Sequence, residues 1–134
     1  VGVRKYTIDT SKGWDYSFDR DGGDIGTIPM GLTLAGNQVP CLLFLTVAEA
    51  VLSGGAAFVQ FGFIDPATDL VDLTQVWAPS GVGALGVDRF LRFDYAGTIP
   101  RTQEREIGMA ITGFDLTAGI LEASVYIMGT QNRA

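Results

Sequence analysis

The chain contains no histidine. That removes imidazole general-base catalysis and every histidine-ligated metal site. It has a single cysteine, Cys41, so it can form neither an intrachain disulfide nor a thiolate zinc cluster. Charged residues make up only 18% of the chain, against about 25% in an average globular protein. Basic residues are the scarcer kind: nine Lys and Arg face fifteen Asp and Glu, a net charge of −6. With no basic run, the chain is a poor electrostatic partner for nucleic acid. Long hydrophobic runs are also lacking. The most apolar stretch, Val39 to Leu52, is interrupted by Glu49 and is too short to cross a bilayer as a helix, so no membrane partner is expected. Arg4, Lys5 and Asp9 break up the opening segment, which therefore does not read as a signal peptide.

What is present is apolar and rich in turns. Hydrophobic residues make up 47% of the chain, and mean hydropathy is +0.26. Disorder is excluded by that composition, and the hydropathy implies thorough burial in the monomer or against other chains. Eighteen glycines in 134 residues is about twice the usual share of roughly 7%. Many turns mean many short strands, and the length suits one domain.

The periodicity is mostly two. Tyr6 and Ile8 alternate with Lys5, Thr7 and Asp9 as in a half-exposed strand. From Ser11 the chain turns polar and Gly/Asp-rich around a short aromatic stretch, Trp14 to Phe18. Residues 1–26 therefore read as an N-terminal arm and loop, with at most one edge strand, separable from a domain at 27–134. Pro29 marks an edge or corner. Pro40 to Val51 is continuously apolar, and periodicity alone leaves strand and helix open, with a helical turn conceivable at Ala48-Glu49-Ala50. Ala56–Ile64, Val87–Tyr95, Glu106–Thr112 and Ile120–Met128 read as strands, and Leu70–Val76 as a strand or short helix. Ser53-Gly54-Gly55, Asp65–Asp69, Ala78–Gly86 and Gly113–Gly119 read as turns or loops. Seven to nine strands between Gly/Pro turns indicate an all-β, antiparallel sandwich of jelly-roll type.

Few residues invite chemistry. Asp19, Asp21 and Asp24, beside glycines, form the one calcium-like pattern, without the downstream bidentate Glu of an EF-hand. Their bland reading is a solvated turn. The carboxylate pairs Glu104/Glu106 and Asp69/Asp72 could serve a hydrolase only across a cleft. Cys41, Ser53, Ser80 and Ser124 have no histidine to activate them. Gly81 to Gly86 spells GxGxxG outside any strand–helix context. No catalytic residue, cofactor or firm metal site is expected. The aromatics Tyr6, Trp14, Tyr16, Phe18 and Trp77 are the candidate contacts with a partner or capsid. Trp14, Tyr16 and Trp77 could alternatively form a sugar-stacking platform, and core or subunit-interface packing is the competing reading for them.

Several features occur together from Thr27 to Met128: the corner Ile28-Pro29-Met30-Gly31, the turn Ser53-Gly54-Gly55, the Asp65-Pro66 loop, and the closing run Ile111 to Gly129. In that run Leu116, Thr117, Ala118, Gly119, Leu121, Ala123, Val125 and Tyr126 follow an LTAGxLxVxVxY-like pattern. The order resembles small β-sandwich structural proteins of tailed bacteriophage virions, of the head-decoration or head-fibre type. It departs from them at Met30, where a basic residue is more usual, and in the acidic stretch before it. The resemblance implies a non-enzymatic capsid decoration protein: a homotrimer, located in the virion after assembly in the host cytoplasm, and bound to the major capsid protein or another virion protein. A carbohydrate-binding or receptor-binding sandwich is the alternative.

Overall fold

The computed structural model describes residues 3–35, 38–76, 80–82, 90–94 and 105–133. Among the described residues, nine strands and one helical turn follow in order. They are β1 (Val3–Ser17), α1 (Phe18–Asp21), β2 (Gly26–Leu34), β3 (Gln38–Ser53), β4 (Phe58–Ile64), β5 (Val71–Val76), β6 (Ser80–Gly81), β7 (Phe90–Asp94), β8 (Arg105–Thr112) and β9 (Leu116–Arg133).

One sheet runs β1-β9-β3-β7 and the other β2-β8-β4-β5, with β6 also pairing β4; all pairings are antiparallel. Since β5 and β6 share one flank of β4, they act as a single interrupted edge strand. Counted so, eight strands are shared equally between two sheets, and the chain crosses between the sheets at nearly every connection. That wiring is the double Greek key of a jelly roll, and the fold class expected from the sequence is the one observed.

Period-two burial sets which residues meet between the sheets. In the first sheet Leu43, Leu45 and Val47 of β3 face inward with Leu121, Ala123, Val125 and Ile127 of β9. In the second, Met30, Leu32 and Leu34 of β2, Val59, Phe61 and Phe63 of β4, and Ile107, Met109 and Ile111 of β8 answer them. A small second cluster, Ile64, Val71 and Ala110, lies apart from this core.

The open question at Pro40–Val51 resolves as strand. The β3–β9 ladder slips at several points, skipping Ala48 between Val47 and Glu49. Such bulges let a 16-residue strand bend and twist with its sheet instead of running flat. Pro29 sits in β2, an edge strand, where a missing N–H leaves no ladder position empty; the β2–β8 register shifts just beyond it. At the β8–β9 turn, Gly113 has φ +86°, and a side chain there would also strike the Ala56 carbonyl. Only glycine meets both demands. Asp65–Asp69 is the turn the composition implied. The Asp65 carboxylate accepts from the N–H of Ala67 (2.9 Å) and its carbonyl from that of Asp69 (2.8 Å).

The largest departure from the sequence reading lies at the start. The polar residues from Ser11 onward do not form a loop, because β1 continues unbroken to Ser17 and pairs β9 from Val3↔Arg133 to Ser17↔Ile120. Residues 3–17 are part of the first sheet, not an arm appended to it. Tyr16 is fully buried in the shared core, and its hydroxyl donates to the Gly22 carbonyl at 2.6 Å, tying β1 to the end of α1. Burial, with Asp21 nearby adding a second contribution, pushes the Tyr16 phenol up to about 12 from its ordinary 10.0.

Two expectations follow. Deleting residues 1–17 uncovers one flank of β9 and removes Tyr16, so the truncated chain should show no cooperative unfolding transition by circular dichroism. A truncated chain that melts cooperatively would contradict the assignment of β1 to the sheet. For Tyr16→Phe the sign follows from linkage. In the unfolded chain the phenol ionises near 10.0, whereas in the folded chain it stays protonated until about 12. Its contribution is therefore complete below pH 10.0 and lost as pH rises toward 12. Urea unfolding should find wild type about 1 kcal/mol more stable than Tyr16→Phe at neutral pH, with the gap shrinking across that window.

Candidate functional site

Among the described side chains, Trp14, Tyr16 and Phe18 do not form an exposed surface. Tyr6 lies on β1 opposite Thr130. Trp14 is half-buried at the margin of the core, with its ring edge-to-face against Phe61 (centroids 6.0 Å apart, planes at 84°). Tyr16 is wholly buried and Phe18 packs against the same core. Trp77 lies outside the described residues. The reason is parity. Trp14 and Tyr16 stand opposite Ala123 and Leu121, both inward-facing on β9, so the strand aims them at the facing sheet. Tyr16 cannot offer its ring to a partner or a sugar while the chain is folded, and a platform built on Trp14 and Tyr16 together is replaced by a core contact.

Asp19, Asp21 and Asp24 are not gathered around a common point, and among the described residues no three acidic or thiol side chains are placed to hold a metal ion. Asp21 is engaged locally instead. Arg20 donates to both its carboxylate oxygens (3.0 and 2.7 Å), and the Ser17 N–H donates to it at 3.1 Å. The Arg20 hydrogen bonds hold the Asp21 carboxyl below its ordinary range and push the guanidinium's own pKa up. Arg20 also reaches back along the chain to the Asp15 carboxylate (2.8 Å) and carbonyl (2.8 Å). This exposed network closes the β1–α1 corner, and such surface pairs add little stability individually.

The remaining candidates sit apart. Cys41 is half-buried at a β3 bulge; its thiol donates to the Tyr126 carbonyl at 3.1 Å, and burial pushes its pKa up. A raised thiol pKa means less thiolate and lower reactivity. Ser53 donates to the Gly55 carbonyl (2.5 Å), closing the β3–β4 turn. Ser124 is exposed on β9, and Ser80 lies in β6. Glu104 lies outside the described residues, as do Gly83 and Gly86 of the GxGxxG run. Glu106 shares a shallow hollow with Asp69, also lined by Thr33, Ile64 and Pro66.

The sequence reading passed over a different surface. The β1–β2, β3–β4 and β8–β9 connections gather at one end of the sandwich. Leu116 N–H donates to the Gly23 carbonyl (2.6 Å), Ile25 N–H to the Asp115 carboxylate (2.8 Å), and the Phe114 ring lies over Gly55. Ile25 (55%), Leu52 (54%), Phe58 (44%) and Phe114 (50%) are exposed there. Ile25 and a fifth exposed residue, Leu70 (54%), flank an apolar hollow of about 150 Å³ over Thr27, Val71, Ala110 and Ile111. The signal was available: a large apolar residue beside each glycine turn is poorly placed for burial.

No family model matches the chain, and no curated protein matches it. Solved structures do. The chain is similar to a chain of the capsid of Ralstonia phage GP4, at 17% identity and a TM-score of 0.57, over 92% of this chain and 86% of that one. It is similar to a chain of the acidic stable capsid of Helicobacter pylori bacteriophage KHP30, at 10% identity and a TM-score of 0.58, over 98% of this chain and 99% of that one. The fold is thus one found in chains of two phage capsids.

Proposed function

We propose that the chain is a non-enzymatic virion structural protein, a capsid decoration (cement) protein that forms a homotrimer and binds the phage head through the major capsid protein or another virion protein. The observation that carries the reading is the likeness to the KHP30 capsid chain over nearly the full length of both chains. The match takes in 98% of this chain and 99% of that one, so neither carries a sizeable further domain beside the jelly roll. Two further observations support it. The apolar loop end offers Ile25, Leu52, Phe58 and Phe114 to a protein neighbour, the kind of side chain that anchors interfaces. The net charge of −6 disfavours a role against packaged nucleic acid. On this reading the protein resides in the virion and joins it during assembly in the host cytoplasm, and the grip on the shell belongs to the loop end.

Light scattering should give a mass of three times 14.3 kDa, and the protein should co-sediment with shells of the phage that encodes it. The double variant Ile25→Asp/Phe114→Asp alters only exposed side chains and should keep the wild-type melting temperature, while shell binding falls by at least about a hundredfold for two lost interface anchors. Wild-type protein that stays in the supernatant would overturn the decoration reading. Full shell binding by the double variant would remove the loop end as the contact.

A further inference from the structure

The outer face of the first sheet carries a groove of about 510 Å³. Its position follows from register. Gly13, Ser124 and Phe44 form one row across β1, β9 and β3, and Asp15, Glu122 and Thr46 form the next. Each of these residues points away from the core, because the alternate positions Leu45, Val47, Leu121 and Ala123 are the buried ones. Gly13 supplies the space: a Cβ placed there would meet nothing within 4 Å. Phe44 forms a wall, its ring held edge-to-face against Tyr126 (centroids 5.5 Å apart, planes at 89°).

We infer that this groove binds a saccharide. A pyranose has an apolar C–H face and a rim of hydroxyls that both donate and accept. The groove answers with the Phe44 ring, with Trp14 at its border, and with two hydroxyls (Thr46, Ser124) and two carboxylates (Asp15, Glu122). Three strands spaced about 4.8 Å apart give those groups a reach of roughly 10 Å, the length of about two sugar rings. Other occupants fit less well. An anion would face Asp15 and Glu122 together. An apolar segment would take the Glu122 carboxylate and the Asp15–Arg20 pair out of water. A cationic segment is the nearest rival, but Arg20 already neutralises Asp15 at 2.8 Å. That leaves a lining richer in hydrogen-bonding groups than in net charge. This assignment does not rest on the decoration reading; of the aromatics that sequence singles out, Trp14 borders the groove, whereas Tyr16 is buried in the core.

The test is amide NMR on the full chain. The probes are glucose, galactose, mannose, N-acetylglucosamine and their β1–4 disaccharides, with a tetralysine peptide as comparator. At least one sugar should shift the amides of Asp15, Glu122 and Ser124 in a saturable way. Gly13→Val should abolish those shifts while leaving the chain folded. Position 13 has ordinary backbone geometry and open space, and valine suits a strand. Glu122→Gln should weaken binding about fivefold, the loss expected for one hydrogen bond. The inference is overturned if no sugar in the panel shifts these amides, if Gly13→Val binds as wild type does, or if only the tetralysine peptide binds.

Discussion

The structure depends on β9 being paired along both flanks. This 18-residue strand takes β1 on one side and β3 on the other, and neither neighbour could otherwise join the first sheet in its observed place. Its inward residues supply much of the first sheet's share of the core, while its outward residues Glu122 and Ser124 form the middle of the groove. Because the side-chain period is two, a one-residue slip in the β1–β9 register would turn Trp14 and Tyr16 outward. Core and groove are thus fixed by the same hydrogen-bond ladder.

Size complementarity within that ladder explains how a large indole fits at a sheet edge. Trp14, Ala123 and Leu45 lie in one row across β1, β9 and β3. The small residue in the middle leaves room between two large ones, and Trp14 meets Phe61 of the facing sheet edge-to-face. Alternating large and small side chains fill an inter-sheet layer without voids. The second sheet uses the same device on its outer side. Gly108 of β8 bears no side chain where Ile64 and Thr27 close over it; a Cβ there would lie 2.8 Å from the Ile64 side chain.

Much of this was legible in the sequence. Alternation marked Tyr6–Ile8 as strand, Ala56–Ile64 with its aromatics and Glu106–Thr112 read as strands too, glycine and proline marked the turns, and together they indicated a jelly-roll sandwich. What failed has physical causes. Ser11, Lys12 and Gly13 carry no hydrophobic alternation, so their extended conformation comes from pairing with β9, more than a hundred residues away in sequence. The Pro40–Val51 run is apolar on both faces, which concealed that Phe44 points outward. Trp14 and Tyr16 were conspicuous as aromatics, yet whether they face solvent or core depends on a register that composition does not encode. Asp19, Asp21 and Asp24 suggested a metal loop only because Arg20, one residue from Asp21, could not be seen to occupy its carboxylate.

The two proposed contacts occupy different parts of the sandwich, and this bears on how they could work together. The apolar end is made by connections between strands, whereas the groove lies across the middle of three strands on the outer face of one sheet. A protein neighbour seated on Ile25, Leu52 and Phe114 would not cover Phe44 or Glu122. The chemistry divides in the same way. Apolar side chains on turns tied together by backbone hydrogen bonds suit a large, permanent protein contact, in which each buried residue adds to one interface. Hydroxyls, carboxylates and one ring on a rigid sheet suit a small polar ligand bound reversibly. A subunit held to a shell by its loop end would therefore leave the groove uncovered by that contact, and repetition over many copies would convert weak single-site binding into strong attachment.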